Sequence, residues 1–286
     1  MDSAILKKKK KKEKIAIILI VIFLSVLALM QLFPFYLKIV TSLQPTKGFN
    51  PIDGKIYLWP ESLNFQNYIQ AIKEGELLEG TLNTIIVSVS FIILSSIIIL
   101  LVSYATAKKK FRGKKLINFV LLLTMMVPGE MLMVTNYQLI SQLNWTSTFR
   151  GLILPGIVNV TGIFLVKAFM NTIPDACIEH AKIDGANEWQ ILIRIIFPMS
   201  LPVMSTYAIL TFVAQWNDYL WPMLITGNDD LFTIQLKLLN FASNGGFEET
   251  VLRSASLILT MLPVIIIYSI FQRKFVNGLN FSGIKE

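Results

Sequence analysis

The sequence predicts an all-α polytopic membrane protein, six transmembrane helices with a cytoplasmic helical hairpin, and three observations predict it. Of 286 residues, 54% are hydrophobic and only 15% are charged, too apolar for an ordinary soluble domain. The apolar residues gather into six stretches of about 20 residues, the length a helix needs to cross a bilayer. Between them the charges sort by sign, with lysine and arginine weighted to one set of connections and acid to the other, as orientation in a membrane requires.

The first element is a basic tail, residues 1–14, ending in KKKKKKEK and followed by an apolar run from Ile15 to about Leu37. A secretory signal has an apolar core of about 7 to 15 residues and a small-residue cleavage site. This run is longer and includes Gln31 and Pro34, so it reads as a retained span with its lysines in the cytoplasm. From Gln44 to Gly80 the chain turns polar and acidic, with Pro45, Gly48, Pro51, Gly54 and Pro60 marking turns, which reads as an external loop. Within it, Gly48 to Lys55 has a faint likeness to a phosphate-binding loop. The spacing is one residue too long, and Ile56 stands where Ser or Thr would hold magnesium. Ser62 to Tyr68 read as the start of a short surface helix.

A second span is expected from Thr81 to about Ala107, stopped by KKKFRGKK, and a third from Leu116 to about Ile140. The third contains Pro128, Gly129 and Glu130, so a kink is expected there. A carboxylate at mid-bilayer costs about 2.5 to 3.5 kcal/mol, which places Glu130 on a water-filled path or at a helix break that water reaches. The fourth span is expected from Gly151 to about Met170, the fifth from about Leu201 to Leu224 and the last from about Ser254 to Phe271, so that 15–272 form the membrane domain. A loop with Asp229, Asp230, Glu248 and Glu249 precedes the last span, and a cytoplasmic tail, 273–286, follows it. Trp59, Trp145, Trp216 and Trp221 fall near the external ends of spans, where an interfacial aromatic belt is expected. The net charge of +8 is concentrated in Lys7 to Lys14 and Lys108 to Lys115, beside apolar spans, which points to orientation and not to nucleic acid. One cysteine excludes an intramolecular disulfide, and with one histidine there is no cluster of metal-ligand spacing.

The stretch from Asn171 to Pro202, NTIPDACIEHAKIDGANEWQILIRIIFPMSLP, is a polar island between apolar spans. It reads as two short helices. Thr172 can cap the first, with Asp175 closing a capping box and Pro174 in the first turn. Gly185 can end it in the left-handed conformation, Asn187 with Gln190 can cap the second, and Pro198 and Pro202 close that one. Ile173, Cys177, His180, Ala181 and Asp184 recur at helical spacing, beside a stripe of Asp175, Glu179 and Lys182. Such a hairpin is too polar to span a membrane. Its apolar face needs a partner protein or the bilayer surface.

The run Glu179, His180, Ala181, then Asp184 and Gly185, then Ile196 and Pro198 (171–200 being the coupling loop) resembles the "EAA…G…I.LP" loop of ABC importer permeases, with His180 where that family usually has alanine. TFRGLILPGIVNVTGIFLVKAFM from Thr148, QWNDYLWP from Gln215 and the tail FQRKFVNGLNFSGIKE are similar to the sugar-type members of that family. The resemblance implies that Glu179, His180, Ala181, Asp184, Gly185 and Pro198 couple the chain to an ATPase dimer. It also implies a second permease subunit, an extracellular solute-binding protein, a carbohydrate substrate and a bacterial cell membrane location with both termini cytoplasmic. ATP and magnesium then act on the partner ATPase, and this chain carries no cofactor, metal or catalytic residue.

Gln215, Trp216, Asn217, Asp218 and Trp221 are candidates for the substrate path. Amide, carboxylate and indole groups suit the hydroxyls and C–H faces of a sugar, while the same tryptophans can also be belt residues and Asp218 can cap within the bundle. A secondary transporter or channel is the alternative function. It needs an arranged relay of ionisable residues, and Glu130, Lys167 and Asp218 are scattered. An intramembrane enzyme needs a nucleophile with a base, or a metal cluster, and neither is encoded.

Overall fold

Every regular element among the described residues is helical, as expected for a chain that must satisfy its backbone groups internally in a bilayer. The computed structural model describes residues 3–46, 56–243 and 250–280, with side chains for 13–46, 56–241 and 250–272. The segment Gly48 to Lys55, the acids Glu248 and Glu249 and residues 281–286 of the expected tail lie outside the described residues. The chain divides into two compact units, one running to Glu74 and taking in the stretch that ends at Leu259, the other from Gly75 to Ser243 and again from Thr260.

In the first unit, α1 (Ser3–Ser42) continues the basic tail and the first span as one helix. Its apolar side chains are exposed along Ile15–Leu32, as a lipid-facing helix requires. The short helix expected near Tyr68 forms as α2 (Gln66–Glu74). Asn67, fully buried, fixes it by donating from Nδ2 to the carbonyls of Ser42 and Gln44, both at 2.8 Å. Those carbonyls lie at and just beyond the C-terminus of α1, where no intrahelical donor remains.

The second unit begins with α3 (Leu77–Lys108), a single helix of 32 residues that is the second span. The third span is broken into α4 (Lys114–Met125) and α5 (Gly129–Gln142), bent by 98° across Pro128. The kink expected there is therefore a full break. Glu130 lies exposed in the first turn of α5, where the helix dipole favours a carboxylate. The fourth span is also bent, by 47°, between the piece α6 (Phe149–Ile153) with its one-turn extension to Gly156 and α7 (Val160–Met170). Pro155 and Gly156 carry the turn signal for that break. Asn159 restarts the helix by accepting the Gly162 N–H at 2.7 Å.

After α8 (Asp175–Ile183) and α9 (Glu188–Ile191), a widened turn at Leu192–Ile196 leads without interruption into α10 (Phe197–Asn217). Pro198 and Pro202 therefore do not close the second hairpin helix. The continuous helix that carries the fifth span starts at Glu188, ahead of the span boundary expected near Leu201, and ends at Asn217. A proline ring clashes with the carbonyl four residues earlier, and the turn just before Pro198 is widened to five-residue spacing, with the Phe197 N–H donating to the Leu192 carbonyl. The Thr206 hydroxyl donates to the Pro202 carbonyl at 3.1 Å. Helices α11 (Leu220–Ile225), α12 (Ile234–Ser243) and α13 (Thr250–Asn280) complete the chain. The last runs on through the boundary expected between span and tail. Among the described residues four helices are long and apolar enough to cross a membrane, and six segments are when each bent pair counts as one span.

Helices α3, α7 and α10 share the main core. Ile99, Ile163, Val166, Met170, Val203, Met204 and Tyr207 are buried together. Close approach depends on Gly162, where a Cβ would stand 2.6 Å from both Ile99 Cδ1 and Tyr207 Cε2, the small-residue contact that membrane helices use in place of hydrophobic driving force. Two buried hydrogen bonds join these helices: Tyr207 donates to Ser95 Oγ at 2.8 Å, and Ser103 to the Ile163 carbonyl at 2.9 Å. A smaller core joins Val87, Phe91, Ile140, Leu152, Ile153 and Ile225. Gly162→Val is expected to overpack the α3–α7–α10 contact and cost about 1 to 3 kcal/mol, read as a lower melting temperature of the detergent-solubilised chain. Unchanged melting would mean that the helices are not held at this distance.

Candidate functional site

The hairpin of α8 and α9 is built by two local devices, and one differs from expectation. Helix α8 ends in a Schellman arrangement: the Ala186 N–H donates to the Ala181 carbonyl at 2.9 Å and the Gly185 N–H to the Lys182 carbonyl at 3.1 Å, with Gly185 at φ +82°. The Asn187–Gln190 capping box forms as expected, at 2.8 and 2.9 Å. The Thr172–Asp175 box does not. Thr172 turns its hydroxyl back to the Phe169 carbonyl at 2.7 Å, and Pro174 takes the cap position without a side-chain bond.

Asp175 is instead drawn to the end of α3. Lys108 Nζ donates to Asp175 Oδ1 at 2.7 Å and to the Ile173 carbonyl at 2.6 Å. The next residue, Lys109, pairs with Glu188, which also accepts from Tyr104 at 2.9 Å and lies 3.8 Å from Lys182. Lys109 sits over the Tyr104 ring at 4.7 Å, where the ring face attracts the ammonium. The first turn of each hairpin helix thus carries an acid gripped by one of two consecutive lysines. Lys108, hydrogen-bonded to the Asp175 carboxyl and close in charge, holds it below the usual carboxylate range, so it stays ionised near neutral pH. The KKK run after the second span reads in sequence as an orientation signal, and its structural part was not legible because Asp175 and Glu188 lie 67 and 79 residues away.

The apolar side of the hairpin faces its own bundle. Ile173, Ile178, Ala181, Ile191, Leu192 and Ile196 belong to the same buried cluster as Ile163 and Tyr207. Ala181 therefore holds the hairpin in place, Cys177 is half-buried, and Glu179, His180, Asp184, Gly185 and Pro198 are exposed. Two large apolar residues that sequence reasoning passed over stand out from it: Ile183 is 81% and Trp189 64% exposed. The signal was present, since both lie off the buried stripe of an otherwise polar hairpin.

The residues expected along a substrate path meet at the corner between α10 and α11. Trp216 is 1% exposed, stacks on Phe212 at a centroid distance of 5.4 Å, and donates its indole N–H to the Thr260 carbonyl at 3.1 Å. Trp221 donates its indole N–H to the Gly151 carbonyl at 3.0 Å, and Asp218 accepts the Trp221 backbone N–H at 3.4 Å. Gln215 is half-buried, and Asn217 is exposed, its amide donating to the Val213 carbonyl at 2.8 Å. Trp145 packs against the smaller core. Of the four tryptophans expected in an aromatic belt, only Trp59 is exposed in the chain. Trp216 is buried, and Trp145 and Trp221 are half-buried against the smaller core. Lys167 pairs with Asn118 and so ties α7 to α4. Among the described residues no group of three metal-ligating side chains occurs.

Residues 81–280 match the model of the binding-protein-dependent transport system inner membrane components. The chain is 28% identical to the arabinooligosaccharides transport system permease protein AraQ of Bacillus subtilis, over 92% of this chain and 94% of that protein. It is 31% identical to the sn-glycerol-3-phosphate transport system permease protein UgpE of Escherichia coli, over 69% of this chain and 71% of that protein. A solved bacterial ABC transporter involved in the import of the acidic polysaccharide alginate has the same fold, with a TM-score of 0.83 at 24% identity over 92% of this chain and 98% of that chain. The chain belongs to the family of binding-protein-dependent transport system inner membrane components. It is a multi-pass permease subunit of an ABC importer, as the residues around Glu179 to Gly185 lead one to expect.

Gly185 has open space around an added Cβ, so only its backbone conformation demands glycine. Asparagine tolerates that conformation, and a β-branched residue does not. Gly185→Val should therefore make the hairpin open to limited proteolysis, and Gly185→Asn should leave it resistant. Equal resistance of the two variants would remove the conformational argument.

Proposed function

We propose that this chain is one of two permease subunits that together form the path for a carbohydrate across a bacterial cell membrane. A separate ATPase dimer drives it and an extracellular solute-binding protein delivers the solute. The observation that carries this reading is the hairpin itself: a rigid, capped element fixed to the bundle by its apolar face and by two lysines, presenting Ile183 and Trp189 outward. An exposed apolar pair on a polar, structurally fixed loop fits a protein partner better than water. The lysines at the end of α3 support a cytoplasmic position for that face, where ATP is available, and for both termini with it. ATP and magnesium then belong to the partner, and this chain contributes movement and no chemistry.

The carbohydrate assignment rests on the arabinooligosaccharides named for the relative from Bacillus subtilis and on hydroxyl-matching groups at the α10–α11 corner. There Gln215, Asn217 and Asp218 offer polar atoms, with Trp221 bordering them, while Trp216 supports them from behind. The ATPase contact is expected to fall on Glu179, His180, Asp184 and Gly185 with Ile183 and Trp189, and Ala181 and Pro198 shape the element beneath.

The test is the pair Ile183→Asp and Trp189→Asp, which change exposed groups without touching the core. Each should lower ATPase co-purification and ATP-driven oligosaccharide uptake by about tenfold or more, the scale of losing an interface anchor of about 1.4 kcal/mol or greater. Membrane insertion should stay normal. Full uptake and co-purification in both variants would show that the ATPase docks elsewhere.

A further inference from the structure

Two lysines of this unit are almost sealed from solvent, and they hold opposite ends of the same helix. The side chain of Lys108 is 5% exposed and that of Lys237 4%. We infer that α3 is the rod that carries movement of the hairpin to the opposite end of the chain, with Lys108, Lys109 and Lys237 as its positioning residues. This rests on the proposed function, in which an ATPase moves the hairpin.

At the hairpin end, Lys108 and Lys109 grip Asp175 and Glu188, the acids that open α8 and α9. Holding both halves, they prevent the hairpin from moving on its joints with α7 and α10 alone. At the other end, Lys237 on α12 pairs with Glu76 and with Glu79, the latter at 3.3 Å. The segment before α12 is bonded to α3 as well: Asn83 Nδ2 donates to the carbonyls of Asp230 at 2.8 Å and Phe232 at 3.1 Å, and the Ile234 N–H donates to Thr84 Oγ1 at 2.8 Å. No side chain fits between them, since a Cβ on Gly80 would lie 2.9 Å from Lys237 Cγ and 3.1 Å from the Ile234 Cα. Glu76 adopts φ +47°, a left-handed conformation that non-glycine residues rarely take and that marks a position fixed by its surroundings.

Between the two grips α3 has no proline and no break over 32 residues, about 48 Å at 1.5 Å per residue. Its neighbours are different. The third and fourth spans are bent by 98° and 47°, and the fifth contains the widened turn before Pro198. A displacement delivered to the hairpin can be absorbed at those breaks but not along α3. The segment 229–241 should therefore follow the hairpin.

The test compares hydrogen exchange at 229–241 in the complex with its ATPase, nucleotide-free and locked with ATP and vanadate. In the natural chain the exchange rate should differ by about tenfold between the two states, the scale of an allosteric coupling. Lys237→Met should abolish that difference while the complex assembles and hydrolyses ATP at its basal rate. The double variant Glu76→Gln with Glu79→Gln should do the same through exposed partners, and Lys237→Arg should keep the response. Exchange that ignores nucleotide in the natural chain, a full response in Lys237→Met, or failure of both disrupting variants to assemble overturns the inference while the proposed function stands. A chain that binds no ATPase at all overturns the proposed function and the inference together.

Discussion

An ammonium group closed off from water stays charged only where anions and carbonyls replace the solvent it has lost. Lys108 meets that condition by reaching across from the end of one span to the first turn of the hairpin, where it finds both a carboxylate and a free carbonyl. Removing Asp175 leaves the nearly sealed Lys108 ammonium without its anion, at a cost that the 74% exposure of Asp175 keeps small. The pair thus selects one position of the hairpin relative to α3. Lys109, Glu188 and Tyr104 repeat the constraint one residue along. The continuous apolar cluster beneath, from Ile99 and Tyr207 to Ile178 and Ile191, supplies the area that the ion pairs orient.

How much of this could be read from sequence follows from the range of each interaction. The left-handed Gly185 and the Asn187–Gln190 box are contained in a few consecutive residues, so their chemistry was legible before any fold was known. The apolar runs were legible for the same reason, their length being set by the bilayer. Asp175 shows the limit. Local pattern offered it to Thr172 three residues back, and the fold gave it to Lys108, a stronger partner that only tertiary structure brings near. Pro198 and Pro202 were misread as stops because a proline ends a helix only where the preceding carbonyls have no other solution. Before Pro198 a widened turn provides one.

The tryptophans near span ends show a related limit. Their place near span ends fits a lipid interface equally well or a packed corner, and periodicity does not separate the two. Trp216 is decided by the Thr260 carbonyl, which accepts its indole N–H, and by Phe212, which stacks on its ring. At the hairpin the reverse happened: Ile183 and Trp189 sit among polar residues and drew no attention, although exposed apolar groups on a fixed element are what a docking surface needs.

Rigid and breakable elements alternate along this chain, and that contrast gives a permease its means of changing shape. The breaks at Pro128, at Pro155–Gly156 and before Pro198 can absorb a change in angle, whereas α3 and the hairpin it holds should move as one body. Spin labels placed on exposed residues of the two outside the proposed ATPase contact, at Leu101→Cys and Ala176→Cys in a Cys177→Ser background, measure this directly by electron–electron distance. The account predicts one unchanged distance distribution in the nucleotide-free and ATP-locked complex. A distribution that shifts or splits between those states would contradict it.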